Sequence, residues 1–348
     1  MNELADFCKN LKKDFTPKRK NSKEPVKYWS EIDIIEDKPV NAFVIIFRTK
    51  GCSWSIKSGC TMCGYFNDSL WKNLDHKDIL FQFEKAMEKY NGEKIVKIFN
   101  SGSFFDDKEI KSETRISILN DLINKVDKIS VESRPEYITN EKLAEIYDIT
   151  NPKNFEIGIG LETANDFIRE KSINKGFNFN HYHDAAKKIK KYEFKIKTYL
   201  LLKPPFLTEK EAINDNIETV EKIKPITDII SLNPTNVQRN TYVEYLWKRN
   251  QYSPPWLWSI IKVLIDSKKI IGEKRIKCDV VGGGSYRGPH NCGKCDNEII
   301  NKISNFSINQ NMDLLNIKKC ECYETWLDQL DIEKFCFGSQ INSHRKII

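Results

Sequence analysis

Six times in succession, from Asn41 to about Lys269, a short apolar, β-branched run is followed by a longer stretch with helical spacing. The runs fall at 41–47, 95–99, 128–132, 155–161, 195–202 and 228–232. Runs of this length and composition read as buried strands. The stretches between them read as helices over about 77–90, 108–126, 140–149, 180–192 and 208–224. In the last of these Thr208 is the expected N-cap, and Glu211 completes a capping box. Six consecutive βα units imply a parallel sheet with right-handed crossovers. An open doubly wound sheet or a barrel would satisfy the pattern equally. In both, the polar, glycine-bearing turns after the strands' C-terminal ends are where a site is built.

The first of these turns is the most unusual. Gly51-Cys52-Ser53-Trp54-Ser55-Ile56-Lys57-Ser58-Gly59-Cys60-Thr61-Met62-Cys63-Gly64-Tyr65 holds three of the ten cysteines, spaced C-x7-C-x2-C. No fourth cysteine lies nearby, and the closest histidine is His76. Three thiolates in one short loop form a soft-metal site. Structural zinc is closed by four ligands, and a cubane is normally held by four thiolates. Three with no local fourth suggest a 4Fe–4S cubane with one iron open to a small molecule. The alternatives are a zinc loop completed from far away and three buried thiols.

Composition narrows the setting. At 348 residues, 40% hydrophobic and 30% charged, the chain can form one large domain with an appendage. Its apolar runs are far shorter than a membrane span. The first ten residues are charged and carry no apolar secretory core. A cytoplasmic protein with no membrane partner is therefore expected, and cysteines in such a chain argue for metal sites over disulfides. The net charge is +7. Lys12, Lys13, Lys18, Arg19, Lys20 and Lys23 form a basic arm, and Lys187, Lys188, Lys190, Lys191, Lys195 and Lys197 a second group. Each is a solvated face or a nucleic-acid contact.

The expected organisation is a basic extension over 1–38, a core over 39–272 and a cysteine-rich subdomain over 273–348. In the last, Cys292-x2-Cys295 and Cys320-x-Cys322 make a four-thiolate set of zinc-ribbon type, its second pair tighter than usual. Zinc is expected; a second cluster, or Cys278 replacing one ligand, is the alternative. Gly282–Gly284 lacks a following Gly-Lys-Ser/Thr and is not a nucleotide P-loop. Pro254-Pro255-Trp256-Leu257-Trp258 is either a stacking surface for RNA bases or a helix start with core tryptophans.

The turns after the later strands carry Ser101-Gly102-Ser103, Glu132-Ser133-Arg134-Pro135, Gly158-Ile159-Gly160-Leu161-Glu162-Thr163 and Ile173-Asn174-Lys175-Gly176. With the cysteine loop, these resemble the radical S-adenosylmethionine (SAM) superfamily over roughly 40–270. The likeness is to its elongator-catalytic-subunit and oxygen-independent coproporphyrinogen oxidase branch. The first spacer is longer than the commonest C-x3-C-x2-C. The resemblance implies a partial (βα)6 TIM-type barrel with a small cysteine-rich C-terminal subdomain. It implies that Cys52, Cys60 and Cys63 ligate a 4Fe–4S cluster whose open iron is chelated by SAM. Met62 falls where adenine is usually touched. Ser101, Gly102 and Ser103 match the turn that receives the SAM amino group. Glu132 matches the carboxylate for the ribose hydroxyls. Lys175 falls where relatives place an Arg for the SAM carboxylate, and as a point charge it is not an equivalent fork.

The tail narrows the likeness. Val280 to Asp296, Cys320-Glu321-Cys322 and Trp326 resemble the archaeosine-biosynthesis radical SAM family, as does Gly59 to Asp68. That family implies a tRNA substrate and a separate partner subunit, which joins lysine to a 7-cyano-7-deazaguanine base. It implies cleavage of the lysine carbon–nitrogen bond to leave the formamidine of archaeosine. The alternatives are another radical tRNA modification, such as methylthiolation, and a non-catalytic zinc and RNA-binding protein. Methylthiotransferases carry an extra N-terminal cysteine domain, whereas here only Cys8 precedes the core.

Overall fold

In the computed structural model, which describes residues 3–12 and 20–333, eight strands form one sheet in chain order. Lys13, Lys18 and Arg19 of the basic arm lie outside the described residues. The strands are β1 (Lys27–Ile35), β2 (Lys38–Phe47), β3 (Ile95–Asn100), β4 (Lys128–Glu132), β5 (Phe155–Glu162), β6 (Lys195–Leu202), β7 (Ile229–Pro234) and β8 (Arg275–Cys278). From β2 to β8 every neighbouring pair is parallel, with a helix in each crossover.

The six runs read from the sequence are β2 to β7. The capping box at Thr208 and Glu211 is present. Two strands escaped that reading. β1 pairs antiparallel with β2 across a two-residue turn, Glu36-Asp37, both at positive φ. That turn geometry normally announces itself as Asn-Gly or Asp-Gly, and Glu-Asp gives no such signal. β8 has four residues, and Arg275 and Lys277 break its apolar run.

The sheet curls until its two edges meet. Asp33 and Asp37, on or beside β1, pair with Lys277 and Arg275 of β8, the latter at 2.7 Å. The result is a half-barrel joined across its gap by ion pairs.

Strand alternation sends the two faces to different environments. Ile45, Ile98, Val131, Ile157, Ile196 and Leu232 are buried and share one core with the surrounding helices. The other face carries Asp33, Lys97, Glu156 and Lys197, all buried. Lys97 pairs with Asp33 and, at 2.6 Å, with Glu31. Glu156 pairs with Lys128 at 2.6 Å and Lys197 at 2.5 Å. Lys197 thus leaves the basic surface group in which the sequence suggested it, because period two turns it inward.

The 273–348 segment supplies β8, and its Ile299, Ile303, Phe306 and Trp326 join the same core. Trp326 donates to Ser259 Oγ at 2.9 Å, and Trp256 to Gln329 Oε1 at 2.8 Å. Trp258 is buried at the start of the helix Leu257–Ile271. It is a core tryptophan, so the stacking reading of Pro254–Trp258 fails at that ring. No described helix is long and apolar enough to cross a membrane.

Burial raises the Glu156 carboxyl, but Lys128 and then Lys197 outweigh burial and hold it well below the usual carboxylate range. Its contribution to stability is therefore complete above the unfolded value of about 4.3 and is lost as pH falls below that. Glu156→Gln strands two lysines inside the sheet and should cost about 3–5 kcal/mol in urea unfolding at pH 7. The wild type should also lose stability more steeply than the variant below about pH 4. Parallel pH curves would contradict the pairing.

Candidate active site

The cysteine loop leaves the C-terminal end of β2. Its long spacer is structured: Ser53–Lys57 is one helical turn, bracketed by Gly51 and Gly59, both at φ +97. Neighbouring turns then lock the loop. Trp54 Nε1 donates to the Asn174 carbonyl at 2.8 Å. Thr61 donates from its hydroxyl to the Ser172 carbonyl at 2.8 Å and from its N–H to Ile173 at 3.0 Å. Gly64 N–H donates to Gln238 Oε1 at 2.6 Å, and Val243 N–H to the Thr61 carbonyl at 3.0 Å. The loop is therefore tied to the chain after β5 on one side and after β7 on the other.

The three thiols lie within electrostatic reach of one another. Burial raises Cys52, against Arg134. Burial, with Cys60, pushes Cys63 up to about 12, against the Tyr65 N–H and Lys175. Backbone N–H groups of Ser55 and Tyr65 point at the Cys52 and Cys63 sulfurs. An all-sulfur donor set with N–H donors and cations around it suits thiolates on an iron–sulfur cluster. Among the described residues, only Cys292, Cys295, Cys320 and Cys322 bring three or more such ligand atoms within 4.8 Å of one another. Cys52, Cys60 and Cys63 do not form such a group. Cys8, also near Cys60, is buried and pushed up to about 12, and it shares a hydrogen bond with Asn174.

The turn after β3 is built on Glu109, a buried carboxylate that sequence reading did not single out. It accepts from Thr49 Oγ1 at 2.7 Å, Asn100 Nδ2 at 2.9 Å and Ser103 N–H at 2.8 Å. Burial still raises it to about 7. Gly102 presses against both this carboxylate and the cysteine loop: a Cβ there would run into Glu109 Oε1 and sit 2.7 Å from Cys52 Cα. Ser101 and Ser103 are buried beside it. Ser103 Oγ accepts from the Arg134 N–H at 3.0 Å, which joins this turn to the next.

Glu132 ends β4. Burial raises its carboxyl, while a hydrogen bond from Tyr199 and the charges of Lys197 and Lys175 oppose that. Lys175 pairs with Glu162 at 2.6 Å; burial would lower the amine, but Glu162 and Cys60 together raise it. Arg134 donates to the Lys175 carbonyl at 3.0 Å and to Glu136 at 2.6 Å, with Trp54 and Phe177 beneath its guanidinium. Met62 is half-buried, packed with both apolar clusters. Tyr65 lies within reach of Cys63, Glu132, Glu162 and Asp279, yet is 61% exposed, so it stands in the open concavity.

The structure thus gathers Cys52, Cys60, Cys63, Ser101, Gly102, Ser103, Glu132 and Lys175 at one mouth. Arg134 and Glu162 sit inside motifs already visible in the sequence. Glu109, Tyr199 and Lys12 had no local signal. Lys12 was read as part of the basic arm; it is buried against the cysteine loop.

At the tail, the sulfurs of Cys292 and Cys295 are 3.9 Å apart, Cys292 and Cys320 3.7 Å, and Cys295 and Cys322 3.7 Å. Asn291 Nδ2 and Trp258 Nε1 donate to Cys295 and Cys322 at 3.4 and 3.3 Å.

A half-barrel with a three-thiolate loop after its first parallel strand defines a radical SAM protein, and the family model for the Radical SAM superfamily matches residues 46–216. A Methanosarcina acetivorans protein named archaeosine synthase subunit beta is 43% identical over 91% of this chain and 93% of its own. A Thermococcus kodakarensis protein of the same name is 41% identical over 86% and 94%. The chain belongs to the archaeosine synthase subunit beta family. Among solved structures, the Methanocaldococcus infernus Elp3 with an N-terminal deletion is 15% identical, covering 59% of this chain and 52% of its own at a TM-score of 0.45.

Gly102→Ala should lower stability by about 1–3 kcal/mol through overpacking and lower iron content after anaerobic reconstitution. A wild-type thermal midpoint with full iron would show that the two turns are not in contact.

Proposed function

We propose that this chain is the radical-generating subunit of an archaeosine synthase. It would release lysine from a lysine-modified 7-deazaguanine base in tRNA and leave the formamidine of archaeosine. The supporting observation is the convergence of three thiols, a buried carboxylate and three cations on one mouth of the half-barrel, in a chain alike over its length to proteins of that name. The bond to be broken is unactivated, and acid–base groups give it no easy route. A 4Fe–4S cluster with SAM, when bound, supplies a carbon-centred radical able to remove a hydrogen atom beside that bond.

The chain's own residues would do the holding. Cys52, Cys60 and Cys63 would ligate the cluster. Ser101, Gly102 and Ser103 offer hydroxyls and bare backbone to the amino group of SAM. Glu132 would accept from ribose hydroxyls, with Tyr199 fixing its carboxylate. Lys175, set by Glu162, would pair with the SAM carboxylate, and Met62 would border the adenine. Such anchoring matters because a misplacement of about 1 Å can cost on the order of a hundredfold. The tRNA substrate and a lysine-transferring partner subunit would place the protein in the cytoplasm.

We also infer that Cys292, Cys295, Cys320 and Cys322 hold zinc. Tetrahedral zinc with bonds of about 2.3 Å requires sulfurs about 3.8 Å apart; three of the sulfur pairs lie 3.7–3.9 Å apart, and all four sulfurs are within 4.8 Å of one another. A cubane puts each thiolate on a different iron and would spread them farther.

Lysine-modified tRNA incubated with reduced enzyme and SAM should yield 5′-deoxyadenosine and archaeosine together. Cys63→Ala should abolish both. Deoxyadenosine formed equally without that tRNA, and no archaeosine, would end the substrate assignment. For the tail, a full-length variant with Cys52, Cys60 and Cys63 all changed to Ala should keep about one zinc per chain and no labile sulfide. Sulfide in that variant would mean a second cluster.

A further inference from the structure

Residues 3–12 are packed against the rest of the chain. The helix Glu3–Asn10 lies against the cysteine loop and the chain after β7. Phe7 meets Tyr242 and Tyr245 edge-on, with ring centres 5.0 Å apart in each case. Ser58, inside the loop, donates to the Ala5 carbonyl at 2.9 Å. Two residues past the helix, Lys12 turns into the loop and is only 9% exposed.

Its Nζ lies 3.0 Å from the Ser55 carbonyl, 2.6 Å from the Ser58 carbonyl and 3.3 Å from Ser55 Oγ. The Phe66 ring closes another side, its centre 4.9 Å away. An ammonium has three donors, and three oxygens receive them. Gly59 must be glycine here, since a Cβ would run into this nitrogen and the backbone is at φ +97. Lys12 is within electrostatic reach of Cys63, Cys60 and Cys52 as well as Cys8. Arg134 and Lys175 also face these thiols. Lys175 is neutralised by Glu162, and Arg134 is paired with Glu136. Lys12 is held by the three oxygens and the Phe66 ring; no carboxylate pairs with it among the ion pairs of the described residues.

We propose that Lys12 is a redox-positioning residue: its uncompensated buried charge raises the reduction potential of the cluster held by Cys52, Cys60 and Cys63. This rests on the cluster reading given above. Accepting one electron makes the cluster more negative, and a fixed cation in a poorly screened setting favours the product of that step. The electron comes from an external one-electron donor. No bond to Lys12 forms or breaks.

The test is a redox titration of the full chain, anaerobically reconstituted, without SAM or tRNA, with the reduced cluster followed by electron paramagnetic resonance. The variants are Lys12→Met, Lys12→Gln and Lys12→Arg. Iron per chain and far-ultraviolet circular dichroism check that each has folded and loaded. Both neutral variants should need a more negative potential. At fixed potential the ratio of reduced to oxidised cluster should fall about tenfold, which is about 59 mV for a one-electron couple. Lys12→Arg should stay near wild type. A wild-type potential in a fully loaded Lys12→Gln protein overturns the proposal. So does an equal shift in Lys12→Arg, which would mean that shape and not charge is responsible. Loss of the cluster from both neutral variants, with Lys12→Arg retaining it, also overturns it, since the charge would then serve retention. If wild-type protein binds no iron, the cluster reading itself fails, and that outcome is distinct from all of these.

Discussion

The ion pairs on the inward face of the sheet are what the rest of the structure depends on. Helices cover the outward face, so apolar residues belong there. The inward face must remain polar enough to receive a charged ligand, yet its floor is shut off from water. Isolated charges in that position would cost several kcal/mol each. Glu156 between Lys128 and Lys197, and Asp33 between Lys97 and Lys277, meet this constraint with groups from both edges and the middle of the sheet. Asp33 and Lys277 also join the two edges that backbone hydrogen bonds leave open. One set of interactions therefore sets the curvature and the polarity of the cavity.

Above that floor, the site is made from turns that lean on one another. The cysteine loop cannot take its shape from its own residues, since only one helical turn of it is regular. Thr61, Gly64 and Trp54 fasten it to the turns after β5 and β7. Glu109 and Gly102 fasten it to the turn after β3. Arg134 links that turn to Lys175. Placement is thus shared, and a change in one turn is felt at the thiols. The same crowding puts three cations around them, each from a different part of the chain.

The tail adds a second fastening. Its four sulfurs lie within 4.8 Å of one another beside the start of the helix Leu257–Ile271, where Trp258 donates to Cys322. Glu333 accepts from the Glu209 and Lys210 N–H groups at 3.2 and 3.0 Å, capping the helix Glu209–Ile223. Among the described residues the segment after 273 is therefore bound into the core both near its start, at β8, and at Glu333.

The sequence by itself determined the parallel βα alternation, because strands 128–132 and 195–202 and their helices announce themselves by period. It also determined the two cysteine groups, because ligand spacing is local. The pattern located the strand ends and turns that hold Glu132 and Lys175, but the roles expected of these two residues came from the resemblance and not from spacing. Only the tertiary structure decided the rest. β1 and β8 were hidden by an atypical turn and by inward-facing charges. Lys197 looked like surface until the register turned it inside. Glu109 and Lys12 carry no local pattern; their roles exist only where separated segments meet, and for a buried charge the partner sets the energy. Lys12 lies 40 positions before Cys52 in the sequence, and only packing of the first helix on Tyr242 and Tyr245 brings its ammonium to the thiols.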